Sequence, residues 1–298
     1  MFEGSIVALI TPFHESGKID LPAFVRLLDH VREGGSSGVV VAGTTGESAT
    51  LEEAEFQALL ECAVAQVGGT MKVLAGTGSP ATDATIKRTR LARSLGAHGA
   101  LVVTPSYNRP TAAGLEAHYR MIAQSVELPI VLYNVPSRTA VDLQPETVAR
   151  LARLDTVVAI KEAVPGVARA HELLRRADGQ LQLLSGDDES CAEVMLAGAA
   201  GVVSVAANLA PAHMARLCHF ARQPQEQKAL ALQERLRPLY AYLGIETNPI
   251  PVKWGAYEMG LAGSHLRLPL LPLDQQHQPG LKACLEQLGL MAGMEPSF

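Results

Sequence analysis

Short β-branched runs punctuate the first two-thirds of the chain. They are SIVALIT from Ser5, GVVVAG from Gly38, KVLAGTG from Lys72, GALVVTP from Gly99, IVLYNVP from Ile130, VVAIKEA from Val157, LQLLSGDD from Leu181 and GVVSVAAN from Gly201. Each is nearly continuous in apolar character rather than alternating, the pattern of strands covered on both faces in a parallel sheet. Between them the apolar period becomes helical. Leu21, Phe24, Val25 and Leu28 lie on one face, with Asp20 placed as an N-cap and Pro22 in the first turn. Further helices are predicted over Leu51 to Val67, over Ser79 to Leu95, and from Pro145, after Gln144, to near Leu154. Eight strands alternating with helices predict an α/β fold, a (β/α)8 TIM barrel, with a doubly wound open sheet as the alternative. After Gln223 and Pro224 the strand signal stops. Leu230, Leu236 and Leu239, then Ala256 to Leu261, then Leu281, Leu285 and Leu288 read as helices. The expected organisation is a catalytic barrel over 1–224 and a C-terminal helical appendage over 225–298.

Composition narrows this picture. The 298 residues carry a formal net charge of −5, with 48% hydrophobic and 18% charged residues, which suits a globular protein with a large core. A mildly acidic chain without a basic run does not point to nucleic acid. The stretch from Val194 to Ala215 contains no Asp, Glu, Lys or Arg, yet Gly198, Gly201, Ser204, Asn208 and Pro211 interrupt it. A buried helix end, a turn and a core strand account for it better than a membrane span. The opening MFEGSIVALI places an acid where a signal peptide needs bases. Cys62, Cys191, Cys218 and Cys284 are scattered, without a CxxC or Cys/His cluster. They are expected to be buried, reduced thiols, which fits the cytoplasm.

Barrel chemistry gathers at the C-terminal ends of the strands. Those ends read Thr11-Pro12, Gly43-Thr44-Thr45, Gly76-Thr77-Gly78, Thr104 to Tyr107, Tyr133-Asn134, Lys161-Glu162, Ser185-Gly186-Asp187 and Ser204 to Asn208. Of the seven lysines only Lys161 ends a strand. A lysine there is partly desolvated, which favours the neutral amine, and a neutral amine attacks a ketone to form a Schiff base. The plainer reading is a lysine snorkelling to solvent. GTTGES, Gly43 to Ser48, leads from a strand into a helix and resembles a cradle of backbone N–H groups for a small carboxylate. An ordinary capped βα turn explains it equally. Gly76 to Ala81 matches the GxGxxA fingerprint, but the next strand, GALVVTPSY, ends without the acid that a dinucleotide site needs. Tyr107 and Tyr133 end adjacent strands, so their phenols are candidates for proton transfer with Thr44. Arg138, in SRT, offers a fork for a carboxylate, although a solvated loop arginine is the commoner case. The nine histidines show no metal-binding spacing.

Taken together, GTTGESATL, TPSYNRP, LYNVPSRT, IKEA, LSGDD and NPIPVKW resemble the dihydrodipicolinate synthase family, in register from GSIVALITP to LRLPLLP. The wider family also contains N-acetylneuraminate lyase and related pyruvate-dependent aldolases; YNVPSRT with its arginine favours the synthase. Sister lyases acting on longer 2-keto acids, and a non-catalytic pyruvate-binding barrel, are the competing readings. The resemblance implies condensation of pyruvate with L-aspartate 4-semialdehyde in the diaminopimelate and lysine pathway, without metal or organic cofactor. It implies that Lys161 forms the imine and Tyr133 acts as general acid/base. Thr44 would link Tyr133 to Tyr107, a tyrosine that in the family enters from the neighbouring subunit. Thr45 would hold the pyruvate carboxylate and Arg138 that of the semialdehyde, while Gly186 and Val203 would line the site through their backbone. The implied assembly is a homotetramer of tight dimers. Ser106 stands where the family typically has a second aromatic, which weakens the expected dimer contact. In family members that bind L-lysine as a feedback ligand, the cleft matches this chain at Ser48 and Ala49 only. Glu53, Phe56, Pro80, Ala84 and Ser106 replace two histidines, an asparagine, a glutamate and an aromatic, so lysine inhibition is expected to be weak or absent.

Overall fold

The computed structural model describes residues 1–291. Residues 292–298, the end of the helical region expected over 225–298, lie outside the described residues. The strands are β1 (Gly4–Ala8), β2 (Gly38–Val41), β3 (Lys72–Gly76), β4 (Gly99–Val103), β5 (Ile130–Asn134), β6 (Val157–Glu162), β7 (Gln182–Ser185) and β8 (Gly201–Ser204). Each pairs in parallel with its neighbours in sequence, and β1 also pairs with β8, so the sheet closes into a barrel. This is the predicted TIM barrel, not the open sheet.

The helices of the barrel are α1 (Leu21–Glu33), α2 (Glu53–Val67), α3 (Thr82–Ser94), α4 (Ala112–Ser125), α5 (Pro136–Thr139), α6 (Pro145–Leu151), α7 (Val167–Ala177), α8 (Cys191–Leu196) and α9 (Pro211–Arg222). Beyond them run α10 (Glu226–Leu243), α11 (Ile250–Glu258) and α12 (Gln278–Gln287).

The alternation of each strand divides the core in two. Ile6, Ala8, Val40, Leu74, Leu101, Val131, Tyr133, Ala159, Leu184 and Val203 form the inner cluster, together with Phe2. Phe2 closes the N-terminal end of the barrel: its ring abuts Gly99 and its N–H donates to Gln182 Oε1 at 2.9 Å. The intervening residues, among them Val7, Val39, Val73, Val102, Leu132, Ile160 and Val202, pack outward against Leu27, Phe56, Leu59, Ile122 and Leu173 of the helices. Both strand faces are therefore apolar, which is why the runs do not alternate.

Several boundaries differ from the expectation. The Asp20 carboxylate caps α1 by accepting from the Ala23 N–H at 2.9 Å, as predicted. α2 starts at Glu53, after a 3₁₀ turn over Ser48–Thr50, because Glu52 and Glu55 form a capping box. α3 starts at Thr82 rather than Ser79, since Pro80 disfavours helical backbone at the residue before it. α6 ends at Leu151, short of Leu154. α11 begins at Ile250, six residues before the predicted Ala256. All residues from Ile250 to Ala256 are buried, so no polar face revealed the helix. The uncharged stretch from Val194 comprises the end of α8, a turn, β8, a 3₁₀ turn and the start of α9. Among the described residues, no helix is long and apolar enough to cross a membrane. The glycines of the GxGxxA match serve the barrel: a Cβ on Gly76 would stand 2.2 Å from the Ala42 carbonyl oxygen, and one on Gly78 2.6 Å from the Val103 nitrogen.

Candidate active site

On β6 the inward positions are Ala159 and Lys161, and the outward ones Ile160 and Glu162. The β5–β6 register places Tyr133 directly beside Lys161. The ammonium nitrogen of Lys161 lies 4.2 Å from the centre of the Tyr133 ring, and both side chains are buried. Gly186, after β7, backs onto this lysine. A Cβ there would sit 3.0 Å from Lys161 Cε, and the Gly186 N–H donates to the Glu162 carbonyl at 2.7 Å. Val203 is buried in the same inner cluster as Tyr133. Lys161, Tyr133, Gly186 and Val203 thus converge at the top of the barrel interior.

Glu162 faces the other way, into the helical layer. It accepts from Asn134 Nδ2 at 3.0 Å and from the Val164 N–H at 2.9 Å, and lies 3.7 Å from Arg169, which itself pairs with Asp142. Burial pushes its carboxyl up from 4.5 to about 7, against the pull of these donors and of the Arg169 charge. Asn134 Oδ1 in turn accepts from the Leu143 N–H at 2.9 Å, which ties the end of β5 to the segment after Arg138.

A second group lies around the mouth. The Gly43–Ser48 turn closes on itself through Glu47 N–H to Thr44 O at 3.0 Å and Ser48 N–H to Gly43 O at 3.2 Å. Thr45 is buried and its hydroxyl accepts from Asn248 Nδ2 at 2.9 Å. The backbone carbonyl oxygen of the same asparagine accepts from Arg138 Nη2 at 3.1 Å. Asn248, which precedes α11, was missed from the sequence as a site residue. The NPIPVKW motif that contains it was the available signal. A cleft of about 650 Å³ opens here, lined among others by Thr44, Ser48, Ser106, Arg138 and Asn248. Thr44 is half-buried in its wall. Tyr107 is not gathered with these groups: it is 95% exposed, four residues beyond the end of β4. Adjacent strand ends do not bring its phenol beside Tyr133 within one chain.

The positions compared with a lysine cleft are dispersed. Ser48, Ala49, Pro80 and Ser106 line the opening, together with Arg88. Phe56 is buried beneath Arg88, whose guanidinium carbon lies 5.0 Å from the ring centre, while Glu53 and Ala84 are exposed. Among the described residues, no group of three or more His, Cys, Asp or Glu side chains is arranged to hold a metal ion.

Comparison with known proteins bears on what this arrangement does. The model of the dihydrodipicolinate synthetase family matches residues 1–288. The 4-hydroxy-tetrahydrodipicolinate synthase of Ectopseudomonas mendocina is 44% identical over 292 residues, covering 98% of this chain and 100% of the relative. That of Xanthomonas campestris pv. campestris is 51% identical over 276 residues, covering 93% of this chain and 91% of its own. Among solved structures, the chloride-inhibited dihydrodipicolinate synthase of Acinetobacter baumannii, complexed with pyruvate, superposes with a TM-score of 0.96 at 42% identity. It covers 98% of this chain and 100% of that one.

Proposed function

The chain belongs to the dihydrodipicolinate synthetase family, and from that premise we propose how its strand ends carry the reaction. The activity is that of 4-hydroxy-tetrahydrodipicolinate synthase, a lyase of lysine biosynthesis, with pyruvate as the keto acid. Lys161 is the nucleophile. Its neutral amine adds to the pyruvate ketone, water leaves, and a protonated imine forms. That imine draws electrons from the neighbouring methyl carbon, which loses a proton to become an enamine. The enamine carbon then bonds to the aldehyde carbon of L-aspartate 4-semialdehyde, whose oxygen takes up a proton. No metal or organic cofactor enters the scheme.

Tyr133, beside Lys161, passes the protons as general acid/base. Thr44 connects it to the partner subunit's Tyr107. Thr45 holds the pyruvate carboxylate, Arg138 receives that of the semialdehyde at the cleft, and Gly186 and Val203 shape the floor through their backbone. The observation that carries the reading is the enclosed lysine: its nitrogen lies 4.2 Å from the Tyr133 ring, with Gly186 leaving room at its stem. The exposure of Tyr107 supports a role completed by another copy, in a homotetramer built from tight dimers. Residues 1–224 are the catalytic barrel, and the helical region from 225 supplies Asn248 to its mouth. The four free cysteines, three of them buried, suit the cytoplasm.

Borohydride reduction in the presence of pyruvate, followed by peptide mass spectrometry, tests the mechanism. One pyruvate-derived adduct on Lys161 is expected. No adduct, or an adduct on another lysine, refutes it.

A further inference from the structure

Lys253 is fully buried, and its partner Glu47 is buried as well. The ammonium nitrogen lies 2.5 Å from Glu47 Oε1, and the other carboxylate oxygen accepts from the Arg267 N–H at 3.1 Å. Lys253 also lies 4.3 Å above the Phe13 ring, and the Arg267 guanidinium 4.4 Å from the same ring. Arg267 is occupied elsewhere, with Glu55 and with the carbonyls of Gly17 and Thr50. The two side chains are therefore shielded from solvent although Glu47 borders the cleft.

An enclosed ion pair contributes little to stability, because desolvation offsets most of the attraction. Burial pushes the Lys253 amine down to about 8 even with Glu47 in contact. What the pair supplies is geometry. Glu47 adopts left-handed backbone, φ 55° and ψ 38°, which a non-glycine residue holds only where its surroundings enforce it. Its N–H closes the turn onto Thr44, so displacing Glu47 displaces Thr44 and Thr45. The Lys253 N–H donates to the Pro249 carbonyl at 3.1 Å, which makes Lys253 rigid with Asn248, the residue bonded to both Thr45 and Arg138. α11, through Lys253, and the segment just before it, through Asn248, thus grip the Gly43–Ser48 turn at two points.

We propose that Lys253 is a positioning residue: through Glu47 it locks the Gly43–Ser48 turn in the conformation that presents Thr44 and Thr45 to the keto acid on Lys161. This rests on the assignment of Lys161, Thr44 and Thr45 made above.

The double variant Lys253→Met/Glu47→Gln separates geometry from stability. Replacing both charges leaves no unpaired ion, so its melting temperature is expected near that of the parent. Without the pair the turn relaxes, and the KM for pyruvate is expected to rise about tenfold or more. Borohydride trapping at saturating pyruvate still labels Lys161 in the variant. Failure of trapping in the parent would instead refute the imine assignment. A double variant with parental KM overturns the proposal. Should the double variant not fold, Glu47→Asp keeps both charges and draws the carboxylate back by one methylene. A raised KM is expected there too, and a parental KM in that variant equally overturns the proposal.

Discussion

At the scale of single residues, Lys161 and Glu162 are neighbours with opposite surroundings, because strand side chains alternate. Lys161 reaches the barrel interior. Glu162 is held outside by Asn134 and Arg169, and burial raises its carboxyl to about 7 from 4.5. The native state therefore binds this proton more tightly than the unfolded chain does. The stabilisation is fully present below pH 4.5 and is lost as pH rises through 7. Glu162→Gln removes the titration. Across this window the parent is expected to lose up to about 3 kcal/mol more stability than the variant. Urea denaturation of both proteins at several pH values measures the difference. The difference isolates Glu162, since His118, held down to about 4 by burial, titrates in both proteins. Parallel curves would show that Glu162 does not take up this proton on folding.

At the scale of elements, the turns before α2 and α3, with Arg88 of α3, line one side of the cleft and offer little chemistry for a zwitterionic amino acid. Phe56 on α2 is buried under Arg88 of α3 and does not reach the cleft, so a cation over an apolar ring stands where polar partners would be needed. Ala84 brings no carboxylate to an ammonium group, Pro80 no side-chain amide and Ser106 no aromatic wall. Glu53 points to solvent rather than into the opening. Arg88 also repels a second cation at short range. L-lysine titrated into initial-rate assays at saturating pyruvate is expected to leave the rate nearly unchanged up to the millimolar range. Strong partial inhibition at sub-millimolar lysine would contradict this reading of the two helices.

At the scale of the whole molecule, one feature of the chain faces away from its own site. Tyr107 is almost wholly in solvent, in a loop where Arg109 takes φ 43°. A phenol so placed serves catalysis only when a second copy receives it. Dilution into monomer is therefore expected to reduce turnover by roughly tenfold or more while borohydride trapping of pyruvate on Lys161 persists. Sedimentation velocity and activity measured across one dilution series test this, and a fully active monomer would rule out a relay between subunits. With Ser106 in place of an aromatic, that dissociation is expected at a higher concentration than a stacked pair would give.

The strand runs, their order, and the capped start of α1 were legible in the sequence, because each depends on residues within one or two turns of one another. So was the place of Lys161 at the top of its strand. The resemblance of the motifs supplied Thr44, Thr45, Tyr133, Arg138, Gly186 and Val203 as one set. The first six residues of α11 escaped detection for a physical reason: Ile250 to Gly255 are all buried, and a segment buried all round carries no amphipathic period. The bonds that join the mouth were legible nowhere. Asn248 meets Thr45 across 203 residues of chain, and Lys253 meets Glu47 across 206. Neither pairing leaves a local signature, since both arise only when the barrel closes and the C-terminal helices pack over its rim. The strand pattern is sufficient to deliver Lys161 to one end of a closed sheet. The shape of the site around it is set by contacts between segments far apart in sequence, whose partners are chosen by packing.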